Sequence, residues 1–168
     1  KNPQGITLLA AGKIGDQGPG AGCDGPVAKI ARDLRIRSAG ESPVTLVDFK
    51  AGFEDSARGA ITGLDWAIVV IDPTTASIEM ARHMQSMVRQ IRAGVPPATR
   101  HLDDPELIAW ANRIFASTSI QEVLFVLNRV RDVEMDGYLR SRLAEAEIHP
   151  IGAVHEHPSI STAWLAGA

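Results

Sequence analysis

Residues 66–94 read WAIVVIDPTTASIEMARHMQSMVRQIRAG, and this stretch decides the fold. WAIVVID (66–72) is almost wholly apolar, as expected of a strand covered on both faces. Pro73 ends that strand, since its ring nitrogen has no N–H to give a ladder. Ser77 then offers a hydroxyl to cap a helix that runs to Gly94, the residue type best suited to the left-handed turn closing a helix. The stretch thus predicts a strand passing directly into a helix.

The same alternation continues on both sides. Upstream, ITLLAAG (6–12) reads as a strand entering the Gly-rich loop GKIGDQGPGAGCDGP (12–26). VAKIARDLRI (27–36) follows with apolar residues at Val27, Ile30, Ala31 and Leu34, the stripe of an amphipathic helix. After Pro43, VTLVDF (44–49) is a compact strand candidate. Downstream, the polar stretch VPPATRHLDDP (95–105) reads as a linker or mobile loop, and ELIAWANRIF (106–115) as a helix. EVLFVLNRV (122–130) predicts a buried strand, YLRSRLAEAE (138–147) a helix, HPIGAVHE (149–156) a strand and ISTAWLAG (160–167) a last helix. Alternating apolar strands and helices predict a doubly wound α/β domain over residues 1–168, with a mostly parallel sheet and helices on both faces. In such sheets ligands gather at the carboxyl ends of the strands. The residues to interrogate are therefore the Gly-rich loop and those following Asp48, Asp72, Asn128 and Val154.

Composition narrows the function classes. The chain has 168 residues, 45% of them hydrophobic and 22% charged, the values of an ordinary globular domain. A net charge of -3 gives no global basic field to draw nucleic acid or anionic lipid. No apolar stretch approaches bilayer length and no signal segment opens the chain, so a cytoplasmic address is expected. The single cysteine, Cys23, excludes an intrachain disulfide framework.

Four segments together carry a resemblance. VTLVDFKAGFEDSARG (44–59) resembles the DxxAGxExxxRG segment of the carbon monoxide dehydrogenase nickel-insertion ATPases, relatives of the MinD/ParA P-loop ATPases. WAIVVIDPTTASIEMA (66–81) is similar to their VVxPSxxSxxxA, VLFVLNRV (123–130) to their strand ending in Asn-Lys, and IGAVHEHPSISTAWLAG (151–167) to their IGxxPxDPxISxAxLxG. The segments run in the order and at the spacing of that family. The resemblance implies a dimeric, nucleotide-dependent switch ATPase using ATP/ADP and Mg²⁺, with a client protein as a further partner.

By that resemblance, Asp48 is the switch carboxylate, placed to bind Mg²⁺ through water or to orient an attacking water. Gly52 lets its backbone N–H approach a terminal phosphate, and Glu54 and Arg58 signal nucleotide state to the partner. The plain alternative for Asp48 is an aspartate capping the next turn. Asn128 corresponds to the base-reading asparagine, since an amide offers a donor and an acceptor to the edge of adenine. Its alternative is an Asn tolerating an unusual turn. Arg129 replaces the more usual Lys and is able to stack on a base. Val154, His155 and Glu156 lie on the loop expected to wall the base pocket, where His155 replaces the family's Pro and His157 its frequent Asp.

His149, His155 and His157 invite a metal reading, set against ordinary exposed loop histidines. Cys23 stands where the nickel-insertion ATPases carry Cys-x-Cys, but the second position is Gly25. A metal bridging two copies of Cys23 is one reading, a lone thiol in a Gly-rich loop the other.

The family's phosphate loop, GKGGxGK(S/T), is absent from these 168 residues, and AAGKIGDQG (10–18) has one Gly-Lys without a second Lys or a Ser/Thr. A complete relative is expected to carry about eighty to a hundred residues before the position of Lys1, including the central strand. Hydrolysis is therefore expected only with a lysine loop supplied from upstream. The rival reading is a non-catalytic binding or scaffold protein that retains the fold. A receiver-like fold also offers strand-end aspartates, at Asp48 and Asp72, but the chain lacks the acidic pair near the N-terminus and the strand-end Lys that such a domain needs.

Overall fold

Ile71 and Leu127 lie opposite each other in a parallel register and are both fully buried. Around them, a computed structural model describes residues 7, 44–49, 60–95 and 103–165. The chain divides into two compact units, Lys1–Gly63 and Leu64–Ala168. In the second unit the order is β1 (Trp66–Ile71), α1 (Thr75–Arg92), α2 (Pro105–Ala116), β2 (Glu122–Val130), α3 (Val133–Ala144), β3 (Gly152–His155) and α4 (Pro158–Leu165). The strands form a parallel sheet in the order β1-β2-β3, so the α/β expectation with parallel pairing holds.

Side chains alternate across a strand, so Ala67 and Ile71 of β1 face the same way as Val123, Phe125 and Leu127 of β2. Helix α1 packs on β1 and β2, and α3 packs on β2. The buried residues of α1, namely Ile78, Ala81, Met84, Val88 and Ile91, recur at three- and four-residue spacing and form one stripe. From α3, Leu139 and Leu143 complete the layer, and Ile148 is buried beyond that helix. Each of the larger of these side chains, the Ile, Val, Leu, Phe and Met residues, contributes roughly 1.5–3 kcal/mol by leaving water.

The expectation that β1 is covered on both faces is not met among the described residues: Trp66, Ile68 and Val70 are 50%, 56% and 58% exposed. An apolar run records only that a strand tolerates apolar residues on each side, and here the helix layer reaches one side of β1. VTLVDF (44–49), read as a strand, carries no strand or helix, and Val44 and Leu46 are largely exposed. Its β-type pattern supplies propensity, but a strand exists only through a pairing neighbour.

The helix ends are set by side chains. Thr74, not Ser77, caps α1: its hydroxyl accepts from the Ser77 N–H at 3.1 Å. At the other end Gly94 has φ +69°, with Gly94 N–H bonded to the Ile91 carbonyl and Val95 N–H to that of Gln90, as the sequence expected of this glycine. Helix α2 begins on Asp104, whose carboxylate accepts from the Glu106 N–H at 2.8 Å. Helix α3 starts earlier than read because Asp132 caps it, accepting from the Met135 N–H at 2.8 Å. Its C-terminal turn closes on Glu147, a non-glycine residue at φ 57°. Gln85 donates to the Glu147 carbonyl at 3.1 Å, and Arg89 pairs with its carboxylate at 3.1 Å, which ties α1 to the end of α3. No described helix is long and apolar enough to cross a membrane.

Candidate functional site

The residues that follow the Ile71–Leu127 pair are Asp72, immediately past β1, and Asn128, near the carboxyl end of β2. Because Ile71 and Leu127 turn into the helix layer, Asp72 and Asn128 turn to the opposite side of the sheet. Both are half-buried. The Asn128 Nδ2 donates to Asp72 Oδ1 at 2.8 Å, a hydrogen bond strengthened by the charge of its acceptor. The Arg129 guanidinium lies 3.8 Å from the other oxygen, Oδ2. The Asp72 backbone is anchored as well, since its N–H donates to Ser77 Oγ at 3.2 Å. Ser77 thus fixes the strand end rather than capping the helix.

Beyond Leu127 the pairing of β2 with β3 changes register. Val126 and Leu127 pair with Gly152 and Ala153, and pairing resumes between Val130 and His155. Asn128 and Arg129 therefore stand opposite the single residue Val154. This is a bulge in a parallel pair, where bulges are rare, and such features re-aim side chains near functional sites. Arg129 absorbs it with φ 54°, a left-handed conformation that costs a non-glycine residue about 1–2 kcal/mol. The strand-end residue with strained backbone is thus the neighbour of the residue expected to read a base, an association typical of ligand sites.

The loop after β3 is held against the same edge, with Glu156 N–H donating to the Val130 carbonyl at 2.9 Å. Val154, His155 and Glu156 are exposed there. His157 turns its Nδ1 to the start of α4, accepting from the Ser159 N–H at 3.2 Å and lying 2.6 Å from its hydroxyl. It caps the helix through Nδ1. His149 precedes β3 while His155 ends it, so the three histidines do not converge. Among the described residues no group of three or more His, Cys, Asp or Glu is placed to hold a metal.

The structure thus brings together Asn128, Arg129 and the 154–156 segment and adds Asp72, to which the sequence assigned no role at the base. The signal for Asp72 was its position immediately after a strand; what was missing was the register that sets it beside Asn128. Asp48 is exposed and belongs to the other unit. Cys23, Gly52, Glu54 and Arg58, and residues 96–102 of the expected mobile loop, lie outside the described residues. Two concavities lie away from these strand ends. One, of about 620 Å³, is lined by Arg82, Gln85, Arg89 and Glu145 among others. The other, of about 380 Å³, lies by Glu122, Val123 and His149 at the opposite end of β2.

Known proteins resemble this chain in sequence. Over 152 residues it is 29% identical to an uncharacterized ATP-binding protein of Methanocaldococcus jannaschii, covering 90% of this chain and 58% of that protein. A second uncharacterized ATP-binding protein of that organism is 33% identical over 86 residues, 51% of this chain and 33% of its own length. The carbon monoxide dehydrogenase accessory protein CooC of Rhodospirillum rubrum is 31% identical over 88 residues, 52% of this chain and 33% of its own. The chain is related to the MinD/ParA-like P-loop ATPases. It spans 58% of the length of the first relative and a third of the other two. No family model and no solved structure matches it.

Proposed function

We propose that this chain is the base-holding part of an ATP-binding accessory protein that works as a nucleotide-dependent switch. The observation that carries this reading is the Asp72–Asn128–Arg129 cluster at adjacent strand ends, in a chain similar to ATP-binding proteins. Asn128 offers its amide to adenine, Arg129 a planar cation to stack on the ring, and the Val154, His155 and Glu156 segment a wall beside them. Asp48 and Gly52 would sense the terminal phosphate with Mg²⁺, and Glu54 and Arg58 would relay that state to a second copy of the chain or to a client protein. Similarity to CooC favours a client concerned with metal-centre maturation.

Titration of the full-length gene product with ATP, with and without Mg²⁺, tests this reading. Micromolar binding that strengthens with Mg²⁺ is expected, and no binding at millimolar ATP would sink it. ATP turnover in the same sample reports hydrolysis. For a metal bridge between two Cys23 thiols, metal content per dimer is compared before and after Cys23→Ser, and unchanged content removes the bridge.

A second reading, a binding or scaffold protein without hydrolysis, is favoured by His155 and His157 in the base loop. Tight ATP binding without turnover in the full-length product would select it.

A further inference from the structure

We propose that Asp72 is the positioning residue that sets base specificity at this site, by locking the orientation of the Asn128 amide. The inference rests on the reading of Asn128 as the residue facing the base and extends it to a choice between adenine and guanine.

An ionised carboxylate only accepts hydrogen bonds. The atom of Asn128 that lies 2.8 Å from Asp72 Oδ1 must therefore be the amide nitrogen. This removes the twofold ambiguity of an asparagine side chain, because turning the amide over would set two acceptor oxygens against each other. Asp72 is itself held from three directions: Asn128 on Oδ1, Arg129 at 3.8 Å from Oδ2, and Ser77 Oγ on its backbone N–H. The carboxylate has little freedom to swing away and release the amide.

With one Nδ2 hydrogen committed to Asp72, Asn128 presents Oδ1 as an acceptor and the second N–H as a donor. Among the described residues Oδ1 takes no hydrogen bond. This order matches adenine, whose exocyclic amino group donates beside a ring nitrogen that accepts. Guanine in the same pose presents the reverse order, a carbonyl oxygen beside a ring N–H. Only a flipped amide could pair with it, and Asp72 forbids the flip. An uncharged amide at position 72 would accept as readily as donate, so the lock would be lost while shape and volume stayed.

The test compares MgATP and MgGTP binding to the full-length gene product by calorimetric titration, in the wild type, Asp72→Asn and Ser77→Ala. The wild type is expected to prefer ATP. Asp72→Asn is expected to lower the ATP:GTP affinity ratio about tenfold or more, chiefly by tightening GTP, as fits the discrimination of one bidentate pair. Ser77→Ala, which removes the backbone anchor of Asp72 but leaves the carboxylate on the amide, is expected to lower the ratio less than Asp72→Asn does. Asp72→Asn weakening both nucleotides equally would overturn the proposal and leave Asp72 a structural role. A wild type that binds ATP and GTP alike would also overturn it, with the nucleotide reading intact. A wild type that binds neither removes the reading beneath it.

Discussion

Asn128 and Asp72 are joined by a 2.8 Å hydrogen bond between the ends of two adjacent parallel strands, although they belong to different segments of the chain. Removing the amide leaves a half-buried carboxylate with, among the described residues, Arg129 as its remaining side-chain partner. Asn128→Ala is expected to weaken ATP binding about ten- to a hundredfold and to cost about 1 kcal/mol of stability. Calorimetric titration and urea denaturation read the two effects separately, and unchanged ATP affinity would take Asn128 out of the base site.

Thr74 supplies the oxygen for the Ser77 N–H in the first turn of α1. Thr74→Ala should cost about 1 kcal/mol, and Thr74→Ser much less, because serine keeps the accepting oxygen. Denaturation midpoints measured at equal slope check this. Equal losses in the two variants would mean that the threonine methyl matters more than its hydroxyl.

Glu147 closes α3 at φ 57°. Glu147→Gly relieves the crowding of Cβ in that conformation, by about 1 kcal/mol. It loses an ion pair with Arg89 in which both side chains are more than half exposed, worth about 0–1 kcal/mol. The Gln85 bond survives because it goes to the backbone carbonyl. A net gain of up to about 1 kcal/mol is expected, and a clear loss of stability would assign the larger weight to the ion pair.

Leu127 is fully buried under the helix layer, whereas Val133 at the start of α3 is 87% exposed. Leu127→Ala should destabilise by about 2–5 kcal/mol. Val133→Ala should change stability by less than about 0.5 kcal/mol, and in the stabilising direction, since alanine is the better helix former. Parallel thermal melts of both variants decide whether the core lies where the register puts it.

The parallel α/β pattern was legible because β2, α1 and the run into Pro73 carry strong local signals: a continuous apolar strand, a three–four stripe and a terminal glycine. Gly94 is the clearest case, since its left-handed turn is a property of one residue. What depends on partners was not legible. VTLVDF has a strand's composition, but pairing is decided elsewhere in the chain. The cap moved from Ser77 to Thr74 because both residues offer the same hydroxyl, and only the backbone geometry chooses between them. At the site, Asn128 and Arg129 could be singled out as strand-end residues, yet Asp72 could join them only once β1 and β2 were adjacent and in register. Nothing local signalled the Arg129 bulge, because its cause is the pairing with β3.

The parallel pairing of β1 with β2 also has a consequence for how the protein is made. β1 leaves the ribosome well before Glu122, the first residue of its partner, has been translated. In that interval, among the described residues, WAIVVI has no ladder to join and only the nascent α1 to cover it. Non-local pairing of this kind slows folding and leaves sticky intermediates. Chaperone dependence in the cell is therefore expected to centre on residues 66–71, and a translation pause placed between α1 and β2 would lengthen the vulnerable period.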